Sequence, residues 1–308
     1  MGIKIQDIAY VRFSAPDLDS MEAFLTEFGM VRSQRSNDRL YMRGLDEDPY
    51  LHETHLGDPA FLAAGFEAES TKDLETLARE ESVSVDSLDG PGGGFVVKLA
   101  DPNGFHIEVI AGRRRVAPIE PTGRIPNNDA YGTPRLNAVK RLTRGPSHVK
   151  RLGHCVLNVT NFRESEAWYK SRFGLITSDE VNLGSPDQVL GAFLRCDRGS
   201  IPSDHHTLFL LGTGKPSFNH AAYEVADFDD LMCGHDWLKE KGRHHEWGVG
   251  RHVLGSQIFD YWRDPWGHTL EHWTDGDLLD AAWGSRTATI QEALRTQWGP
   301  QPPSRMGS

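Results

Sequence analysis

Cysteine is scarce: only Cys155, Cys196 and Cys233 occur in 308 residues, widely spaced and with no CxxC pair. An odd, scattered set provides no disulfide framework, so these residues are expected as small core side chains in a reducing compartment. Long apolar runs are missing too. None approaches the roughly 20 residues of a membrane helix, and residues 1–7 lack a basic region followed by an apolar one. Cytoplasmic residence without membrane contact is the expectation. Positive charge is also short, since 33 Lys and Arg face 44 Asp and Glu for a net charge of −11. Extended contact with nucleic acid phosphates draws on clustered basic residues and is excluded on that ground. The run Arg113-Arg114-Arg115 is too short to reverse this and reads as a solvated edge. Gly90-Pro91-Gly92-Gly93-Gly94 has no following Lys-Ser/Thr, so it reads as a flexible turn rather than a phosphate cradle.

What is present is an ordinary globular composition, 38% hydrophobic and 25% charged, in a chain long enough for two domains. The ending Asp264-Pro265-Trp266-Gly267-His268-Thr269-Leu270-Glu271 recurs as Asp101-Pro102-Asn103-Gly104-Phe105-His106-Ile107-Glu108. Such self-similarity marks a duplicated unit. Two further matches support it. The strand 8–13, with a helix opening at Asp17 and ending at Gly29, corresponds to the strand 152–159, with a helix opening at Asn161 and ending at Gly174. Likewise residues 63–68 correspond to residues 220–225. Each half therefore reads as two βαβββ-like units, with strands in a curved sheet and helices packed outside. Pro and Gly concentrate between Pro118 and Pro146, which marks a linker. After Trp273, residues 287–297 read as a helix, followed by a loose Gly/Pro-rich tail.

Duplication supplies an internal control. Aligned, the halves place His154 opposite Tyr10, His220 opposite Ala63 and Glu271 opposite Glu108. Only the second copy combines two imidazoles with the carboxylate. Two neutral imidazoles and one carboxylate cap one face of an octahedral ion and leave the others open, the arrangement typical of non-haem Fe(II) oxygenases. Strand alternation puts His154, Val156 and Asn158 on one face and Cys155 and Leu157 on the other, so Cys155 should point away from such a site. With 14 histidines in the chain, position in the repeat is what singles out His154 and His220. His235, His244, His245, His268 and His272 read as structural or exposed, and Glu108 as a packing residue.

Several motifs appear in a fixed order: Gly153-His154, His205-His206-Thr207-Leu208, the strand beginning at His220, Gly250-Arg251-His252, Tyr261, and Pro265 to Glu271. In this order the chain resembles the type I extradiol ring-cleaving dioxygenases of the vicinal oxygen chelate superfamily, weakly in the first half and strongly from Gly153 to Glu271. The resemblance implies an α+β fold of two vicinal oxygen chelate domains, each of paired βαβββ modules in a curved mixed sheet. The implied divisions are 1–112 without a metal site, a linker 113–149, a catalytic domain 150–275 and a C-terminal helix and tail 276–308.

It further implies that His154, His220 and Glu271 bind Fe(II), less commonly Mn(II). His206 would stand beside the oxygen site, chosen over His205 because neighbouring strand residues face opposite ways. His252 and Tyr261 would stand at the catechol hydroxyls. Implied partners are a catecholic substrate, dioxygen and further copies of the chain in a homo-oligomer. The rival readings are a glyoxalase-like metal isomerase or transferase, which would not need His206, His252 and Tyr261, and a non-catalytic binder of small aromatics. The insertion 197–204 is expected to shape the cavity rim, and Phe193, Trp247 and Phe259 are candidate pocket residues.

Overall fold

A computed structural model describes residues 2–120 and 126–303; parts of the expected linker (121–125) and tail (304–308) lie outside the described residues. The first half runs β1 (Ile5–Ala15), α1 (Leu18–Phe28), β2 (Val31–Arg35), β3 (Arg39–Arg43), β4 (His52–Leu56), then β5 (Ala60–Ala68), α2 (Thr71–Glu81), β6 (Asp86–Ser87), β7 (Phe95–Ala100) and β8 (His106–Ala111). This is βαβββ twice. The second half repeats it with β9 (Val149–Val159), α3 (Phe162–Phe173), β10 (Ile176–Asn182), β11 (Val189–Arg195), the two-residue β12 (Ser203–Asp204) and β13 (Leu208–Gly212). Its second unit is β14 (Ser217–Val225), α4 (Phe228–Glu240), β15 (His244–His252), β16 (Ile258–Arg263) and β17 (Thr269–Thr274). The sheets are ordered β2-β3-β4-β1-β5-β8-β7-β6 and, in the corresponding part of the second, β10-β11-β13-β9-β14-β17-β16-β15. No helix among the described residues is long and apolar enough to cross a membrane.

Local chemistry explains the repetition. Asp17, Ser70, Asn161 and Asp227 each cap a helix by accepting from backbone amides of the first turn. In the two Asp-Pro-x-Gly turns the aspartate performs the same task. Asp264 Oδ1 accepts from the amides of Trp266 and His268 at 2.8 and 2.9 Å, and Asp101 Oδ1 from those of Asn103 and Phe105 at the same distances. Gly104 and Gly267 follow at φ +85° and +93°, a conformation that costs glycine nothing.

The halves share one apolar core. Phe13 packs against Phe61 and Phe218, and Phe28 stacks on His272 at 3.7 Å. Helices cover the sheet face that carries Cys155, and α1 and α3 also reach the opposite half. α1 packs against α4, and in α3 Phe173 meets Phe66 of β5 while Ser165 accepts from Asn103. Their apolar stripes are buried against the strands of their own half and extend to the other.

Two buried histidines bind the halves together. His52 on β4 lies 2.9 Å from the Tyr223 hydroxyl, and His272 Nε2 donates to the Phe28 carbonyl at 2.6 Å. Burial pushes the His52 imidazole down to about 3, against an ordinary 6.5. Unfolding releases it to protonate, so its contribution is complete above pH 6.5 and is lost as pH falls from there toward 3. Denaturant titrations of the full chain should show a loss of about 1.4 kcal/mol per pH unit from this single proton. His52→Asn should flatten that slope; an unchanged slope would refute the assignment.

Three expectations require correction. Arg113 is not a solvated edge: its guanidinium is buried beside Tyr50, donating to the Tyr50 carbonyl at 3.1 Å and to Asp48 at 2.9 Å. The 197–204 insertion pairs through β12 with β18 (Leu278–Leu279) and supplies Asp204 to Arg151. None of its residues lines the cavity described below. Finally, residues 287–297 are not one helix. They contribute to β19 (Arg286–Thr289), a short α5 (Ile290–Leu294) and β20 (Thr296–Trp298). A capping box between Thr289 and Glu292 starts the helix, but pairing of β20 with β15 ends it. The tail continues ordered to Pro300, whose carbonyl accepts from the Trp247 indole at 2.9 Å.

Candidate metal centre

Sheet register assembles the site. Ala222 on β14 lies opposite His154 on β9 and opposite Glu271 on β17, and Glu271 lies opposite Tyr261 on β16. His154, Glu271 and Tyr261 thus belong to one row across four strands. His220 is two residues from Ala222 with no bulge between, so it leaves β14 from the same face. Cys155 points the other way into the core. Gly153 allows close packing here, since a Cβ would stand 2.6 Å from the Trp273 ring.

The ligand atoms of His154, His220 and Glu271 all lie within 4.8 Å of one another. Glu271 is fully buried, and neither carboxylate oxygen accepts a hydrogen bond. His154 Nε2 and His220 Nε2 stand 3.4 and 3.3 Å from Oε2, and His252 Nε2 stands 3.8 Å from Oε1. These separations are too long for charge-assisted hydrogen bonds, which are about 2.7–2.9 Å. They are close to the roughly 3 Å expected between neighbouring ligands of one small ion. Burial alone would raise the Glu271 carboxyl, but the surrounding imidazoles outweigh it and hold the group well below the ordinary carboxylate range. Burial lowers the His154 imidazole, keeping it in the neutral form that binds metal. The donor set fits a divalent ion.

Neighbours orient these groups. Asn219 Oδ1 lies 2.8 Å from His220 Nδ1, which leaves Nε2 directed at Glu271. His205 and His206 lie just before β13, in a loop rather than a strand, and both are buried. His206 alone of the two lines the cavity, with its ring 3.9 Å from that of His154. His205 bridges between Asp179 Oδ2, at 2.6 Å from its Nε2, and His206 Nδ1, at 3.1 Å from its Nδ1. If the carboxylate accepts from His205 Nε2, His205 Nδ1 accepts from His206, and His206 Nε2 carries the lone pair. Burial depresses the His206 imidazole strongly. His252 Nε2 lies 3.1 Å from the Tyr261 hydroxyl, and its ring stacks on Phe259 at 4.0 Å.

His154, His206, Asn219, His220, His252 and Tyr261 line a cavity of about 100 Å³, with Glu271 buried behind the two imidazoles. A larger cleft of about 420 Å³, between the halves at Phe61, Phe105 and Phe218, includes none of the clustered His and Glu ligands. Phe193 and Trp247 are cavity residues as expected, whereas Phe259 only supports His252 from behind. Sequence reasoning missed Asn219, Gln257, and Ala293 and Leu294 of α5. Adjacency to His220 was a usable signal for Asn219. For α5 there was none, because its approach depends on β19 pairing with β10 and β20 with β15.

One other described group has metal-like spacing: His235, His245 and Asp260. There Asp260 lies 2.8 Å from His245 Nε2 and 3.1 Å from His235 Nδ1, and accepts from the Trp262 indole at 2.6 Å. Burial would raise this carboxyl, yet the hydrogen bonds hold it low. Its acceptors are satisfied without an ion, unlike those of Glu271.

The first half shows how the same architecture manages without imidazoles. Tyr10, Gly65 and Glu108 form the corresponding row. Arg12 reaches into it, donating to both Glu108 oxygens at 2.8 and 2.9 Å and to Glu53 at 2.6 Å, while the Tyr10 hydroxyl also donates to Glu108. A guanidinium here compensates the carboxylates. Arg12→Met would leave buried Glu108 without a cationic partner and Glu53 with His55 alone, and should destabilise the protein by about 3–5 kcal/mol in denaturant titration. Adding Glu108→Gln should recover part of the loss.

Comparison with known proteins agrees with this geometry. Residues 151–272 match the Glyoxalase/Bleomycin resistance protein/Dioxygenase superfamily. Metapyrocatechase 2 of Cupriavidus necator is 30% identical over 305 residues, covering 97% of this chain and 90% of that protein. Among solved structures, the Mn(II)-bound glyoxalase from Novosphingobium aromaticivorans superposes with a TM-score of 0.80 at 23% identity, covering 97% of this chain and 93% of that one. Homoprotocatechuate 2,3-dioxygenase from Arthrobacter globiformis gives 0.78 at 20% identity, covering 98% and 91%. At such identities the two structures speak for the fold, while the metapyrocatechase relationship extends to the family. The chain belongs to the extradiol ring-cleaving dioxygenases of this superfamily, which carry a non-haem metal site.

Proposed function

We propose that the protein opens the ring of a catechol with dioxygen, beside the two hydroxyls, at a mononuclear Fe(II) held by His154, His220 and Glu271, with Mn(II) the less common occupant. The observation that carries this reading is the buried Glu271 carboxylate, free of hydrogen bonds between two imidazoles that line the same cavity as His206, His252 and Tyr261. When bound, the ion supplies open positions at which both catechol oxygens and dioxygen meet and exchange electrons.

The chain's own residues manage protons and position. His252, next to the Tyr261 hydroxyl, or a nearby base takes a proton from the entering catechol. Tyr261 remains protonated, since burial and the nearby Glu271 raise its phenol well above the ordinary value, and it donates to a substrate oxygen. His206 Nε2, with its lone pair toward the cavity, accepts a proton and returns it to oxygen later in the reaction. Apolar walls at Val156, Phe193 and Trp247 keep water away. Both oxygen atoms enter the product, a ring-opened semialdehyde or its keto equivalent.

Anaerobic reconstitution with Fe(II), followed by oxygen and a panel of substituted catechols, tests this by the appearance of the yellow ring-opened product. Absence of product from every catechol, with metal demonstrably bound, would refute it.

A further inference from the structure

The end of the cavity away from the three candidate ligands carries no charge. Its wall is Phe209 and Leu211 of β13, Leu254, and Ala293 and Leu294 of α5; no Lys or Arg lines the cavity. The arginines on the strands that build it are already engaged. Arg251 donates to Asp275 at 2.7 Å and to the Ser256 carbonyl at 2.7 Å. Arg195 donates to the Thr177 and Asp280 carbonyls at 2.8 and 3.1 Å, and Arg263 to Glu246 at 2.9 Å. Arg151 is held by Asp204 and Glu224.

Leu294 is fixed at the mouth by the strap formed by β19, α5 and β20. One end pairs with β10 and the other with β15, and Gln297 Nε2 donates to the His252 carbonyl at 2.9 Å. The cavity holds about 100 Å³ and opens past Leu294, which is 42% exposed. A ring whose two hydroxyls face His154, His220 and Glu271 directs its substituent along this apolar wall toward the mouth.

We infer that the preferred substrate is an uncharged catechol with an apolar ring substituent, and that Leu211 and Leu294 exclude catechols bearing a carboxylate. This rests on the ring-cleavage reading and deepens it. A carboxylate against this wall would give up part of its water and meet no Lys or Arg lining the cavity.

The test uses the full chain loaded with Fe(II). Dissociation constants for 4-methylcatechol, 3,4-dihydroxybenzoate and 3,4-dihydroxyphenylacetate are measured calorimetrically without oxygen, and kcat/KM is measured with it. Methylcatechol should be favoured about 100-fold or more in both. In Leu294→Arg, and separately in Leu211→Arg, the ratio should shift at least about tenfold toward the carboxylates. Equal or tighter binding of the carboxylates by the unaltered protein, or a ratio unmoved in both variants, would overturn the inference. Failure to cleave any catechol would sink the dioxygenase reading, while the anaerobic binding ratio would still decide this one.

Discussion

His220→Ala, reconstituted anaerobically with Fe(II) and desalted, is expected to emerge nearly metal-free and inactive. Even loss of a group that merely orients a ligand weakens metal binding about 10–100-fold, so loss of the ligand itself should exceed that. The fold should tolerate the change, because Ala63 already occupies the equivalent place in the first half within a strand of the same pattern, β5. Metal content by emission spectroscopy, with circular dichroism as the control for folding, reads the result. Full retention of metal would remove His220 from the ligand set.

His206→Phe should behave in the opposite way. Phenylalanine keeps a planar ring against His154 and Phe193, whose centroids lie 3.9 and 4.9 Å from that of His206. Metal and catechol should therefore still bind. What disappears is the nitrogen facing the cavity and its connection through His205 to Asp179. Loss of a positioned proton carrier costs about 10²–10⁴-fold, so kcat should fall by that order while the anaerobic catechol dissociation constant changes little. Equal loss of metal in the two variants would refute the separation between ligand and proton carrier.

Much of this arrangement was legible in the sequence because the chain contains its own reference copy. The two Asp-Pro-x-Gly turns have the same hydrogen bonds, so aligning them fixed the register of the strands that follow, and with it the row containing Glu271 and His154. The assignment of Tyr10 and Ala63 as counterparts followed from the same alignment. Arg12 in the first copy was invisible to it, because its reach to Glu53 and Glu108 spans three strands. His205 was set aside by a strand-alternation rule that does not apply to a loop; its contact with Asp179 depends on tertiary packing. The C-terminal strap was lost for a related reason. Its capping box announced a helix correctly, but local propensity says nothing of the edges of a sheet formed more than thirty residues earlier.

The Arg12 arrangement separates the two halves in how each answers its surroundings. A tethered guanidinium cannot be chelated or exchanged, so the first copy carries its counter-charge within the chain. The second copy, with two imidazoles in place of that guanidinium, leaves its carboxylate to an ion from outside the chain. Because both copies are built into one apolar core, the charge balance at the Arg12 row holds the fold around the second row whether or not that row is filled.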